Sequence, residues 1–213
     1  MAPKIVNKRE KREKIIHCAV DLFAEKGFAD TTVKEIADAA HIGKGTIYEY
    51  FDSKEEILMS AFRYYVSRGV KTISAELRDA TEPEEIITAF LRGMAKHFHS
   101  VSQQAAISLF VFQVESILSR SKIFEKYGDE ILKIKSNLGA KFIKELSNAI
   151  VCAQKDGKFK KIDHNTIAMI IYSYISGISL FAIFDKSIDI QETNNVFMDI
   201  FFNGILNQKS NKK

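Results

Sequence analysis

Hydrophobic side chains recur along most of the chain with the period of an α-helix rather than with the alternation of a β-strand. In the first such stretch, about residues 8–26, Ile15 and Ala19 lie one helical turn apart on the same face. Gly27 follows and suits the left-handed conformation that ends many helices. Proline occurs only twice in the whole chain. We therefore predict an all-α fold of about nine helices.

Two short helical segments joined by a tight turn follow the first helix. Thr32 and Glu35 form the sequence signature of a capping box, in which each side chain hydrogen-bonds the backbone amide of the other residue. After a turn at residues 41–43, a second short helix is expected from Lys44 to about Phe51. Such a pair is typical of a helix-turn-helix, whose second helix enters the major groove of DNA.

The rest of the chain predicts a larger helical domain. A fourth helix, capped by Asp52 or Ser53, is expected to run toward Leu77. Further helices are expected after Pro83, over Ala105–Leu118, over Ser121–Gln154, after Asp163 and over Val196–Leu206. We accordingly divide the chain into a three-helix DNA-binding domain with a basic N-terminal arm, residues 1–52, and a helical ligand-binding and dimerisation domain, residues 53–213.

The helix-turn-helix divides into apolar positions that fix the helix crossing and polar positions that face outward. Ile36, Ile47 and Phe51 belong to the first group. In the second group, Lys44, Thr46, Tyr48 and Tyr50 are expected to face outward and contact the DNA, and Thr32, Lys34 and Lys54 to approach phosphates.

The run TTVKEIADAAHIGKGTIYEYFDSKEEIL, preceded by AVDLFAEKGF, resembles the N-terminal signature of the TetR family of bacterial repressors over about residues 12–60. The resemblance implies a dimer, a three-helix DNA-binding domain, and derepression when a small molecule binds the larger helical domain. Its DNA-contacting positions fall on Thr32, Lys34, Lys44, Gly45, Thr46, Tyr48, Tyr50 and Lys54. His41 stands at the family's usual turn glycine and Gly43 at its common serine cap. Both replacements are tolerable, because histidine enters the left-handed region more readily than most residues and glycine is an acceptable N-cap.

Charge supports DNA binding mainly through the N-terminal arm. The chain carries a formal net charge of +4, and residues 1–14 alone carry +4, whereas residues 15–60 carry −5. The longest apolar stretch, Ile167–Phe184, contains tyrosine, serine and glycine and falls short of a clean membrane span. The N-terminus lacks the apolar region of a secretory signal. We expect a cytoplasmic protein that does not bind membranes.

The candidate effector site lies on helices of the second domain that are expected to converge. Its residues are mostly aromatic or flexible apolar side chains, with embedded polar groups among them: Phe90, Met94, Phe110, Gln113, Phe142 and Tyr174. Phe98, Phe112 and Glu115 are further members of the same group. Aromatic stripes of this kind more often belong to the ordinary hydrophobic core. That core role is the alternative to ligand binding for these residues. The ligand that fits such a site is largely apolar or aromatic.

A homodimer is expected to form through the last two helices, where Tyr172–Ile178 offers an apolar face broken by small residues and Phe197, Ile200, Phe201 and Ile205 offer a second. The predicted partners are thus a palindromic DNA operator, a small-molecule effector and a second copy of the chain. Burial of both faces within one subunit is the alternative.

Other function classes have weaker support in the sequence. The two cysteines and five histidines show no metal-ligand spacing, and there is no nucleophile-base pattern or phosphate-binding loop. We therefore expect no metal, no cofactor and no catalytic residues. A helical carrier or interaction protein with a vestigial helix-turn-helix remains the third possibility, and sequence-selective, salt-sensitive DNA binding distinguishes it from a regulator.

Overall fold

A computed structural model describes the backbone of residues 8–100 and 122–206, with the side chains of 8–100 and 125–206. Eight helices form the regular structure of these residues: α1 Lys8–Lys26, α2 Val33–Ala39, α3 Lys44–Ile47, α4 Lys54–Leu77, α5 Pro83–His99, α6 Lys122–Lys155, α7 His164–Phe184 and α8 Ile190–Ile205. The all-α prediction is confirmed. The helix expected over Ala105–Leu118 lies outside the described residues.

Two helix boundaries differ from the prediction. Helix α3 ends at Ile47 rather than near Phe51, because the amides of Tyr48 and Tyr50 donate to carbonyls only three residues back, which tightens the chain into turns. Helix α8 begins at Ile190, six residues earlier than expected. Its N-cap is Asp189, whose carboxylate accepts hydrogen bonds from the next turn of backbone amides.

The chain divides into two units, and α4 and α6 each contribute to both. Among the described residues, the first unit comprises 8–67 and 122–129, and the second comprises 68–100 and 130–206. The division of function at residues 52 and 53 stays a prediction. The core of the first unit is built from fully buried apolar side chains of α1 to α4, including Ile15, Ile16, Ala19, Ile36, Ala37, Ile47, Phe51, Ile57 and Met59.

Helices α4 and α5 cross at very short range within the second unit. A Cβ atom placed on Gly93 would lie 2.9 Å from the Cα of Ile73, and one placed on Gly69 would lie 2.8 Å from the ring of His97. At Gly93 the neighbour is main chain, so only glycine permits this approach. Glu76 adds ion pairs from α4 to Arg92 and to Lys96 on α5, each at 2.6 Å.

Candidate nucleic-acid interface

One carboxylate fixes the start of α2. The amide of Glu35 donates to Thr32 Oγ1 at 3.2 Å, and the amide of Thr32 donates to the Glu35 carboxylate at 2.8 Å, so the predicted capping box is present. Lys26, at the end of α1, pairs with the same carboxylate at 2.7 Å. The hydrogen bond from Lys26, followed by those from Thr32, lowers the pKa of Glu35 to about 2. Glu35 therefore ties the end of α1 to the first turn of α2.

The turn between α2 and α3 contains a residue in the left-handed region. His41 has φ 56°, and the amide of Ile42 returns to the carbonyl of Ala37 at 3.0 Å. Gly43 then serves as the N-cap of α3 without a side-chain hydrogen bond. The two departures at His41 and Gly43 thus leave the helix-turn-helix geometry intact.

The segment formed by α3 and the turn after it is anchored from below by apolar side chains. Ile47 and Phe51 are 1% and 2% exposed. The guanidinium of Arg12 on α1 lies 4.7 Å from the centre of the Phe51 ring and donates to Ser60 Oγ at 2.9 Å. In the sequence, Arg12 belongs to the basic N-terminal stretch of residues 1–14, and no local pattern indicates its partner Ser60, which lies 48 positions along the chain.

The predicted DNA-contacting side chains of α2 and α3 are open to solvent. Tyr48 is 51% exposed. Thr32, Lys34, Lys44 and Gly45 are also exposed, and Thr46 and Tyr50 are partly exposed. Lys8 of α1 lies with its ammonium 5.9 Å from the centre of the Tyr50 ring. This surface therefore meets the steric condition for DNA contact, because its polar groups stand out from a buried apolar base.

Lys54 differs from the other predicted contacts. Its ammonium donates to the carbonyls of Phe28, Ala29 and Thr31, and it also lies 4.4 Å from the centre of the Phe28 ring. These are the three hydrogen bonds that a lysine ammonium can donate. Lys54 thus holds the loop between α1 and α2, which speaks against the phosphate contact expected for it. The DNA contact was predicted from the position of Lys54 in the first turn of α4. That position gives no indication that the side chain binds the loop between α1 and α2.

The candidate effector residues in the described part of the second unit pack in one apolar cluster. Phe90 and Phe142 are each 1% exposed, with ring centres 5.4 Å apart, and Met94 and Tyr174 are partly buried at the edge of the same core. Phe98 is likewise partly buried against this core. Phe110, Gln113, Phe112 and Glu115 lie outside the described residues.

Asn194 and Tyr172 are two polar residues of this core that the sequence did not single out as effector-site residues. Tyr174 stacks on Phe197 with ring centres 3.8 Å apart and donates to Asn194 Oδ1 at 3.1 Å. Asn194 is 1% exposed and donates to the carbonyl of Leu91 at 3.3 Å. Tyr174 is therefore engaged with α8, whereas Tyr172, two residues earlier, stacks against Phe90 at 6.4 Å.

Helices α7 and α8 carry a group of large apolar side chains that are more than half exposed: Met169, Ile170, Phe181, Phe184, Val196 and Ile200. The dimer face inferred from the sequence overlaps this group only in part. Ile175 and Ile205 are buried inside the unit, which corrects their assignment to an interface. Ile200 is 67% exposed.

Helix α7 is also the one helix of the described residues whose length and apolar composition meet the requirements of a membrane span. Its other side packs Ile167, Ala168, Ile171 and Ile175 into the core of the second unit. A core helix with a second apolar side satisfies the same criteria. Within the described residues, no cluster of three or more histidine, cysteine or acidic side chains suits a metal ion.

Comparison with known proteins connects these features to one family. A family model described as bacterial regulatory proteins, tetR family, matches residues 15–61. YerO, an uncharacterized HTH-type transcriptional regulator of Bacillus subtilis, is 43% identical over 81 residues, which are 37% of this chain and 28% of that protein.

Two further proteins are similar over almost the whole chain. The fatty acid metabolism regulator protein of Bacillus subtilis is 26% identical over 203 residues, covering 94% of this chain and 98% of its own length. The structure of the fatty acid degradation regulator FadR from Bacillus halodurans superposes with a TM-score of 0.67 at 25% identity, covering 92% of this chain and 96% of that one. Both units are thus represented in these proteins.

Proposed function

Because this chain belongs to the TetR family of bacterial regulatory proteins and is a DNA-binding transcriptional regulator, we propose that it is a cytoplasmic, homodimeric repressor that a small apolar molecule releases from a palindromic operator. The observation that carries the proposal is the placement of α3. Ile47, on its apolar side, is buried in the core of the first unit, while Thr46 and Tyr48 remain accessible. A carrier with a vestigial motif has no need of that arrangement.

The DNA-contacting set that we propose is smaller than the one expected from the sequence. It comprises Thr32, Lys34, Lys44, Gly45, Thr46, Tyr48 and Tyr50. Lys54 is left out because its ammonium is bound to carbonyls. Lys34 and Lys44 supply positive charge for phosphates, and the threonine and tyrosine side chains of the α3 segment supply the hydrogen-bonding and apolar groups that read base edges.

A gel-shift titration on the promoter beside the protein's own gene tests the DNA-binding proposal. We expect a saturable complex that weakens steeply with salt and that competitor DNA of random sequence does not displace at equal concentration. Tyr48→Ala should weaken the specific complex about 5-fold to 150-fold, because one base-directed contact contributes about 1–3 kcal/mol, and it should leave random-sequence binding unchanged. Equal losses on both DNAs would contradict base readout by Tyr48.

In the proposed dimer, two copies pack through the exposed apolar sides of α7 and α8. The second copy then provides the second recognition helix. A two-fold dimer buries the same patch on both copies, and two α3 segments about 34 Å apart then match successive major grooves of a palindrome. The exposed Phe181, Phe184 and Ile200 support this proposal, because contiguous apolar surface of this kind marks interfaces. Light scattering at micromolar concentration tests it, and a monomer would refute it.

We place the effector site in the second unit, near Phe90, Met94 and Phe142, and propose an effector with a long hydrocarbon portion. The support is the aromatic cluster itself together with the full-length similarity to two regulators named for fatty acid metabolism and degradation. Adding the effector should release the operator in the gel shift and raise transcription from the promoter. An affinity for the operator that stays constant at saturating effector would exclude induction.

A further inference from the structure

A lysine stands in the middle of the buried side of α6. Ile131, Lys135, Phe142 and Leu146 are spaced so that they share one face of this helix. The three apolar members are each 1% exposed, and Lys135 is half-buried. Lys133, two residues earlier, lies on the opposite side and is exposed. Lys135 is therefore out of place in an otherwise apolar stripe.

This position is costly for an ammonium group. Burial lowers the pKa of Lys135, since it removes water from the charged form. Within the part of the chain that the structure describes, no carboxylate forms an ion pair with it. A half-buried charge without a counter-charge destabilises a fold, and such groups are concentrated at binding sites.

One helical turn after Lys135, α6 lies beside a second polar group that belongs to the aromatic cluster of the second unit. Gly139 follows one helical turn later, and a Cβ placed there would lie 3.6 Å from the hydroxyl oxygen of Tyr172. Tyr172 stacks on Phe90, which packs against Phe142. Burial raises the pKa of Tyr172, so its hydroxyl keeps its proton and can donate a hydrogen bond at neutral pH.

We propose that Lys135 and Tyr172 bind the carboxylate of a single-chain aliphatic acid, whose hydrocarbon chain packs along the cluster that includes Phe90 and Phe142. The proposal rests on the proposed function, because it specifies the chemistry of the effector assigned to this unit. The ammonium supplies the counter-charge and the tyrosine hydroxyl supplies a second hydrogen bond, while the apolar face of α6 discriminates against short, polar acids. A neutral alcohol or a cation of the same chain length lacks the group that Lys135 requires.

Calorimetric titration of the full-length protein with dodecanoate, dodecanol and dodecyltrimethylammonium, all below their micelle concentrations, tests the choice of head group. The wild type should bind dodecanoate roughly tenfold or more tightly than dodecanol, as expected for one charge-assisted hydrogen bond. Lys135→Met keeps the aliphatic stem and removes the charge, and it should abolish this preference. Lys133→Met is the matched control and should retain it.

Three results would overturn the proposal. The first is equal binding of acid and alcohol to the wild type, and the second is no binding of any of the three. The third is an undiminished preference in Lys135→Met, which would mean that only the stem of Lys135 packs in the core. The thermal midpoint without ligand adds a check, since Lys135→Met should raise it and Lys133→Met should not. A lower midpoint in Lys135→Met would show that the charge already has a partner in the protein.

A gel shift on the same samples separates this proposal from the function on which it rests. Dodecanoate binding that depends on Lys135 but leaves the operator complex intact would refute induction and keep the carboxylate site. Absence of any operator complex without ligand would refute repression, while the calorimetric comparison would still decide the role of Lys135.

Discussion

The guanidinium carbon of Arg12 lies 4.7 Å from the centre of the Phe51 ring. A residue of the first helix, from the basic N-terminal stretch, therefore covers the end of the segment that contains α3. Through its hydrogen bond to Ser60, Arg12 also joins α1 to α4 inside the first unit. Arg12 is therefore a structural residue, and the first effect of its loss should be on the stability of the fold.

Replacing Arg12 with methionine should lower the free energy of unfolding by about 1–2 kcal/mol, because a cation-π contact and a partly buried hydrogen bond are lost together. Urea denaturation followed by circular dichroism measures this. Arg9→Met is the matched control, since Arg9 is exposed, forms an ion pair with Glu13 on the surface, and should change stability by less than about 0.5 kcal/mol. Similar losses in both variants would contradict the role of Arg12.

Lys54 and Lys44 should respond in opposite ways to the same substitution. Lys54→Met leaves three carbonyls at the end of the α1–α2 loop without their donor, so the thermal midpoint should fall while the salt dependence of DNA binding stays as it was. Lys44→Met should leave the midpoint unchanged and reduce the slope of log affinity against log salt by about one. A smaller slope of log affinity against log salt for Lys54→Met would instead mean that Lys54 contacts a phosphate.

His97 should make stability fall in mild acid. Burial, and then the positive charge of Arg68, lower the pKa of His97 below its usual value of 6.5, and its Nδ1 has no hydrogen-bond partner among the described residues. As the pH falls through 6.5, the unfolded chain takes up a proton at this residue before the folded chain does. The contribution of His97 to the free energy of unfolding is therefore fully present above pH 6.5 and is lost progressively below it.

Urea titrations of the wild type and His97→Gln at pH 7.5 and 5.5 measure this contribution. The variant should lose less stability between the two values than the wild type. His99→Gln serves as the control and should behave as the wild type, because His99 is exposed at the end of α5. An unchanged pH dependence in His97→Gln would exclude His97 as its source.

An aspartate at position 200 should separate the proposed dimer. Ile200→Asp places a charge in the middle of the exposed apolar side of α8, where burial against a second copy would leave it without water. Sedimentation should show a monomer, and operator affinity should fall because one recognition helix alone remains. Ile162→Asp introduces the same charge at a loop residue that is 49% exposed and should leave the dimer intact.

The parts of the structure that depend on neighbouring residues were predictable from the sequence. The Thr32 and Glu35 capping box, the left-handed His41 and the Asp163 cap of α7 each depend on side chains within a few positions of the backbone that they bind. The apolar period along α1 and α4 likewise predicts which face is buried, since the helical repeat fixes it.

The contacts that were missed join residues far apart in the chain. Lys54 was expected at a phosphate and Arg12 lies in the basic N-terminal stretch, and only the folded loop and the Phe51 ring show that both are used internally. Ile175 was assigned to an interface because it lies in the apolar face over Tyr172–Ile178 that small residues interrupt, and periodicity alone cannot say whether the subunit buries that face itself. The same limit applies to Lys135, which reads as a surface lysine until the burial of its neighbours is known.

The crossing of α4 and α5 leaves no spare volume at Gly93. One added methyl group would meet the main chain of Ile73, and main chain cannot rotate aside as a side chain does. The ion pairs from Glu76 to Arg92 and Lys96 clamp the crossing beside this point. Alanine at position 93 would therefore push α4 and α5 apart, against the ion pairs that Glu76 forms between them. Adding this single methyl group at position 93 would disturb the packing of α4 against α5 more than the small size of the change suggests.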